Sequence, residues 1–188
     1  MNSVSDGADL PEKHASVLRS NSNRRELIVF GFTAFLIIVI DQITKYWAQQ
    51  YLLPRMISGE GPVELLGGFL KFTYAENSGA AFSMGTGITW VFTTIALIVV
   101  GIIFKYARKL GSTPWALALG GLLGGSIGNL IDRMFRDPGP FHGFVVDFIQ
   151  LPYWAIFNVA DMAVVISGIS IAVLLFRGFG IDGSRVQS

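Results

Sequence analysis

The chain has 188 residues, 52% of them hydrophobic and only 14% charged, with a formal net charge of +1. A soluble domain carries roughly 25% charged residues, so the balance indicates an integral membrane protein and the length a single domain. The small net charge offers no basic field for nucleic acid. With no cysteine, and His14 and His142 as the only histidines, disulfides and a cysteine nucleophile are excluded, and neither a metal centre nor a cofactor is expected.

Residues 1–25 are polar, rich in Ser and Asn, and read as a disordered cytoplasmic tail. Arg24 and Arg25 precede an apolar run that could pass for a signal peptide. The run is long, however, and no small-residue cleavage site follows, so a retained helix is expected. Four segments are apolar enough to span a bilayer, over about 27–48, 88–106, 115–135 and 154–176. Trp47, Trp90, Trp115 and Trp154 fall near segment ends, as an aromatic belt requires. Between the first two segments, Phe69 to Tyr74 reads as a strand bounded by Gly67-Gly68 and Asn77-Ser78-Gly79. A small extracytoplasmic β-element is expected over about 55–85. Residues 178–188 form a second cytoplasmic tail. The fold class is therefore an all-α membrane protein, a four-transmembrane-helix bundle with a small outer β-cradle.

Lys and Arg set the orientation. With the N-terminus inside, nine lie on the cytoplasmic side and five on the outer side, which favours cytoplasmic N- and C-termini. Helix arithmetic then places the polar residues. Asp41 follows Leu27 by 14 residues, Asn129 follows Trp115 by 14, and Asp161 precedes Phe176 by 15. At 1.5 Å per residue each lies roughly 21–23 Å from the cytoplasmic boundary, in the outer third of a ~30 Å core. Asp41 and Lys45 share a helix face, as do Asn129, Asp132 and Arg133, and Asn158 and Asp161. Gly120, Gly124 and Gly128, with Gly121 and Gly125 beside them, give small-xxx-small spacing that reads as a packing face.

Asp147, placed in the loop before the last segment, could reach down to Asp161. Two carboxylates at one site cannot both ionise cheaply, so such a pair supplies one base and one acid. The base would take a proton from water attacking a carbonyl, and the acid would polarise that carbonyl. A structural ion-pair role, or a proton or ion path, stays open on the residues alone. Asp41/Lys45 and Asp132/Arg133 read as structural ion pairs. His142 reads as an exposed loop residue, and Ser83 and Ser126 as ordinary hydrogen-bonding residues.

Five blocks stand in one order along residues 27–176. They are Asp41-Gln42-Ile43-Thr44-Lys45; Asn77-Ser78-Gly79-Ala80-Ala81-Phe82; Gly124-Gly125-Ser126-Ile127-Gly128-Asn129-Leu130-Ile131-Asp132-Arg133; Val145-Val146-Asp147-Phe148; and Phe157-Asn158-Val159-Ala160-Asp161. In these blocks the chain resembles the lipoprotein signal peptidases, or signal peptidase II family. The resemblance implies an intramembrane aspartic endopeptidase of the bacterial inner membrane, with its site near the outer leaflet. Its substrates would be prolipoproteins, cleaved before a cysteine already carrying diacylglycerol. It puts the catalytic pair on Asp147 and Asp161. Substrate-binding and supporting roles fall on Asp41, Lys45, Asn77, Gly79, Asn129, Asp132, Arg133, Asn158 and Ala160. It further implies inhibition by lipopeptide antibiotics such as globomycin; no metal or other cofactor is expected, and a monomer working among membrane lipids can house the whole site. A small proton-coupled transporter would need polar residues along a whole path, and the cytoplasmic halves of the four segments are nearly free of charge.

Overall fold

The computed structural model describes residues 10–79 and 89–185, with side chains from residue 23 onward. Helix α1 (Leu10–Trp47) starts inside the stretch expected to be disordered. Pro11 stands in its first turn, where a missing N–H costs nothing, and no other proline interrupts the run to Trp47. Residues 1–9 lie outside the described residues.

The chain leaves α1 through a π-turn, Ala48–Leu52, into the short helix α2 (Leu53–Ile57), which has Pro54 in its first turn. Residues 55–57, expected in the β-element, are thus helical. Strands β1 (Val63–Leu65) and β2 (Leu70–Asn77) follow, and residues 80–85 of that expected element lie outside the described residues. Next come helices α3 (Thr89–Ala107) and α4 (Thr113–Phe135), strand β3 (Val145–Gln150) and helix α5 (Val159–Phe176). Among the described residues, four stretches are long and apolar enough to cross a membrane: Asn23–Ile57, Thr89–Ala107, Thr113–Phe135 and Val159–Phe176. The protein is a multi-pass membrane protein, mostly helical, with a small antiparallel sheet.

Helix α4 is the centre of the bundle. It is buried at most turns from Trp115 to Arg133, whereas α5 buries only Ala160 and Ser167. The outer faces of the other helices carry exposed Ile, Leu, Phe and Val, as a lipid solvent permits. The glycines of α4 explain how the backbones come so close. A Cβ on Gly120 would lie 2.7 Å from the Phe30 carbonyl oxygen, and one on Gly124 2.8 Å from that of Ala34, both on α1. A Cβ on Gly125 would lie 2.5 Å from the Ala160 carbonyl oxygen of α5. One glycine row therefore seats α1 and the neighbouring row seats α5, so the packing-face reading holds on two sides at once.

Two sequence expectations change near the site. Helix α5 begins at Val159, not at Trp154. The segment before it turns back on β3: Ile149 and Phe157 exchange backbone hydrogen bonds of 2.8 and 2.9 Å. Asn158 then caps the helix. Trp154 accordingly lies in an exposed loop rather than at a helix end. Second, residues 145–150, expected as loop, form the third strand of a sheet ordered β1-β2-β3. Both pairings are antiparallel, and an irregularity between Phe72 and Ala75 brings Ala75 opposite Asp147. Trp47 at the end of α1 meets Phe72 of β2 and Phe148 of β3 edge-on, at centroid distances of 5.8 and 6.2 Å. Those contacts fasten the sheet to the bundle just where α1 ends.

Candidate active site

Four aspartates meet where α1, α4, β3 and α5 converge. On α1, Asp41 and Lys45 are fully buried and paired at 2.8 Å. Lys45 Nζ also meets Asp132 Oδ2 at 2.9 Å and donates to Asn129 Oδ1 at 2.9 Å. An ammonium has three protons, and all three are used. Asp132 was expected to pair with Arg133. Its partners are instead Lys45 and Arg136, whose Nε lies 2.8 Å away. The reason is helical geometry: Arg136 lies one turn on from Asp132, whereas adjacent residues diverge around the axis.

These carboxylates also hold the backbone. Asp41 Oδ1 accepts the Ala160 N–H at 2.9 Å, tying α1 to the first turn of α5. Asp132 Oδ2 accepts the Val146 N–H at 3.2 Å, tying α4 to β3. Each bond lands one residue before a second aspartate, Asp161 in the first case and Asp147 in the other. Gln42 lies between the two anchors, its amide donating to Asp41 Oδ2 at 3.1 Å and to the Gly128 carbonyl at 3.1 Å, with Asp132 Oδ1 at 3.5 Å.

Asp161 sits at the third residue of α5 and forms a capping box with Asn158. The Asn158 side chain accepts the Asp161 N–H at 2.9 Å, and Asp161 Oδ2 accepts the Asn158 N–H at 3.1 Å. A capping box satisfies two helix-end donors reciprocally, so the acid is oriented by its own helix. It therefore stands at the helix end rather than within the apolar run. Asp161 Oδ1 accepts from Asn129 Nδ2 at 2.7 Å. Lys45 can only donate, so Asn129 must turn its oxygen to Lys45 and its amide N–H to Asp161.

Asp147 is buried on β3. Its oxygens accept from Asn158 Nδ2 at 2.7 Å and from Asn77 Nδ2 at 2.8 Å. Asn158 Nδ2 also approaches Asn129 Oδ1 at 3.1 Å. Asn77 is fixed in turn, its Oδ1 accepting the Gly79 N–H at 2.7 Å. Gly79 has φ +83°, and a Cβ there would lie 2.7 Å from the Phe92 ring, so only glycine fits. Burial pushes the Asp147 carboxyl up to about 6; the amide of Asn77 opposes this, the charge of Asp161 adds to it, and Asn158 and Lys45 oppose it.

Among the described residues, neither Asp147 nor Asp161 makes a salt bridge. The nearby cation, Arg133, is buried, with its guanidinium 5.9 Å from the centre of the Phe92 ring and no hydrogen-bond partner for Nη1. His142 is exposed, its Nδ1 3.1 Å from the Pro140 carbonyl oxygen. Ser83, Ala80, Ala81 and Phe82 lie outside the described residues. The structure thus brings together Asp41, Lys45, Asn77, Asn129, Asp132, Asp147, Asn158, Ala160 and Asp161 in one hydrogen-bonded set, with Gly79 behind Asn77. Sequence reasoning passed over Gln42 and Arg136. Gln42 follows Asp41 directly within the Asp41–Lys45 block, and Arg136 is four residues from Asp132, one helical turn on.

A family model described as signal peptidase (SPase) II matches residues 33–177. The chain is 44% identical over 166 residues to a lipoprotein signal peptidase of Streptomyces coelicolor, covering 88% of this chain and 78% of that one. It is 48% identical over 158 residues to one of Mycobacterium leprae, covering 84% and 76%. Two solved chains, each described as a bacterial membrane enzyme studied by the in meso method, share the fold. One gives a TM-score of 0.63 at 25% identity over 84% of this chain and 92% of that one. The other gives 0.65 at 27% identity over 78% and 91%. With a match across all four spans and such identities over most of its length, the chain belongs to the signal peptidase II family.

Proposed function

We propose that Asp147 and Asp161 are the catalytic pair of this enzyme. The protein is an aspartic endopeptidase that removes the signal peptide from diacylglyceryl-modified prolipoproteins, cleaving before the lipidated cysteine. One observation carries the assignment of the pair. The two carboxylates are joined through the amides of Asn158 and Asn129, and no cation among the described residues is bonded to either. Neutral donors orient a carboxylate without fixing its charge, so the pair can exchange a proton.

In the working form the pair holds one proton, so that one carboxyl is acid and the other base. The ionised carboxylate takes a proton from water, and the water oxygen attacks the scissile carbonyl carbon. The protonated partner donates to the carbonyl oxygen, which becomes the second hydroxyl of a gem-diol. Collapse breaks the C–N bond, the cysteine nitrogen takes up a proton, and the pair returns to one proton. Arg133, with Nη1 unspent, orients the substrate backbone, and Asn77, Gly79 and Ala160 line its approach. Lys45, Asp41, Asp132, Asn129 and Asn158 hold the acids in place.

The membrane geometry suits such a substrate. With both termini cytoplasmic, as the Lys and Arg distribution favours, the sheet and the pair lie at the outer interface. There a lipidated cysteine keeps its acyl chains in the bilayer while the peptide reaches the acids. The site is complete within one chain, so a monomer suffices. Cleavage of a diacylglyceryl prolipoprotein in detergent tests the pair directly. Asp147→Asn and Asp161→Asn each lower kcat by at least ~10³-fold with the fold retained, in the range expected for loss of an acid–base group. Normal cleavage by either variant removes that residue from the pair, and activity lost to EDTA but restored by zinc contradicts the metal-free mechanism.

A further inference from the structure

The family match ends at residue 177, but the described chain goes on. Residues 178–185 do not trail away as a tail. They fold back in a tight turn, with Phe179 opposite Arg185, and dock on the α3–α4 connection. The Gly111 N–H donates to the Ile181 carbonyl at 3.0 Å, and the Trp115 indole N–H to the Phe179 carbonyl at 3.0 Å. Beneath this turn lies a cavity of about 400 Å³ walled by Tyr106, Trp115, Leu119, Ile171, Leu175 and Phe179. Its walls are almost wholly apolar, so water gains few partners there. Tyr106 and Leu175 are 48% and 62% exposed, so the cavity opens to the outside of the bundle.

Cations stand beside these walls: the Arg185 guanidinium lies 4.6 Å from the centre of the Phe179 ring, Arg177 caps α5 two residues before Phe179, and Lys105 is in the last turn of α3. None of the three makes a salt bridge among the described residues. Of the acids with described side chains at this end, Glu26 is buried and accepts from Thr113 through Oε1 at 3.0 Å while its Oε2 has no partner, and Asp182 accepts from Ser184 at 2.6 Å; neither is salt-bridged to these cations. An apolar slot open to the bilayer under unpaired cations has the complementarity of one molecule class, a lipid with an acyl chain and a negative headgroup.

We infer that this end of the bundle, away from the catalytic pair, is a binding site for an anionic glycerophospholipid, with an acyl chain in the cavity and the phosphate on Arg177 and Arg185. Trp115 reports on it. It is 7% exposed, whereas Trp47, Trp90 and Trp154 are 38%, 51% and 70% exposed. In a protein keeping only Trp115 (Trp47→Phe, Trp90→Phe, Trp154→Phe), placed in phosphatidylcholine bilayers, brominated phosphatidylglycerol quenches its fluorescence at several-fold lower mole fraction than brominated phosphatidylcholine. Arg177→Gln with Arg185→Gln removes that preference and leaves prolipoprotein cleavage unchanged. Equal quenching by the two lipids, no quenching, or a preference that survives the double variant overturns the site. Loss of the preference on adding millimolar inorganic phosphate assigns the two arginines to a free anion and equally overturns the lipid site. Should the triple variant fail to fold, the wild-type midpoint decides: phosphatidylglycerol raises it by roughly 3 °C or more over phosphatidylcholine, and equal midpoints contradict the proposal.

Discussion

Asp41 and Asp132 differ from Asp147 and Asp161 in setting, not in chemistry. The first two are buried against Lys45, with the Ala160 and Val146 amides and the Arg136 guanidinium completing their bonds. Among the described residues, the second two receive only neutral donors, from Asn77, Asn129, Asn158 and the Asn158 backbone. Asp41 and Asp132, matched by an ammonium, serve as struts. Asp147 and Asp161, matched by amides, are the two to which the chemistry is assigned in our proposal. The two halves are also wired together, because Lys45 dictates which way Asn129 faces.

The contrast can be broken most severely at Lys45. Lys45→Met leaves the buried Asp41 without a cation and Asp132 with Arg136 alone, a loss of ~3–5 kcal/mol for a disrupted buried pair. The expected drop in thermal midpoint is on the order of 10 °C, and an unchanged midpoint would mean that the cluster bears no structural weight. Gly128→Ala is next. Its Cβ would lie 2.7 Å from Asp41 Oδ2, and overpacking of this kind costs about 1–3 kcal/mol. The midpoint falls by several degrees, whereas the same change at Gly31, where nothing lies within 4 Å, leaves it nearly unaltered. The smallest effect is expected at His142, which meets only the carbonyl of its own turn. His142→Ala changes kcat/KM by less than about twofold, the scale of surface substitutions; a large loss would bring His142 into the chemistry.

How far the sequence revealed this arrangement depends on where each residue lies. Depth arithmetic on α1 and α4 brought Asp41 and Asn129 to one level because those segments are uninterrupted helices. The glycine rows were legible for the same reason. Beyond the helices the reading failed in definite ways. β3 was invisible because Val145 to Gln150 carries its acid among buried residues and shows no alternation; it is a strand because β2 pairs with it, a contact 70 residues away in sequence. The start of α5 was misplaced because Trp154 to Phe157 is as apolar as the helix it precedes, and only the bridge to Ile149 shows that it is not helical. The Asp132 partnership was misread because adjacency in sequence was taken for adjacency in space. The docked turn at 178–185 had no apolar periodicity to announce it.

The central claim is that Asp147 is a chemical acid in a setting that does not require its charge. Its folded-state value, near 6, lies above the unfolded value of 3.8. The folded protein therefore keeps a proton that the unfolded chain releases, and the stability from this group is full below pH 3.8 and lost as the pH rises through about 6. The cost of holding it ionised at pH 7 is on the order of 3 kcal/mol. Asp147→Asn removes that cost together with the reactive group. The decisive measurement is thus a paired one, cleavage and thermal midpoint of Asp147→Asn against wild type at pH 7 and pH 4. The prediction is loss of turnover with a midpoint equal to or above wild type at pH 7, the difference shrinking toward pH 4. Retained turnover, or a collapse in midpoint like that of Lys45→Met, would contradict it.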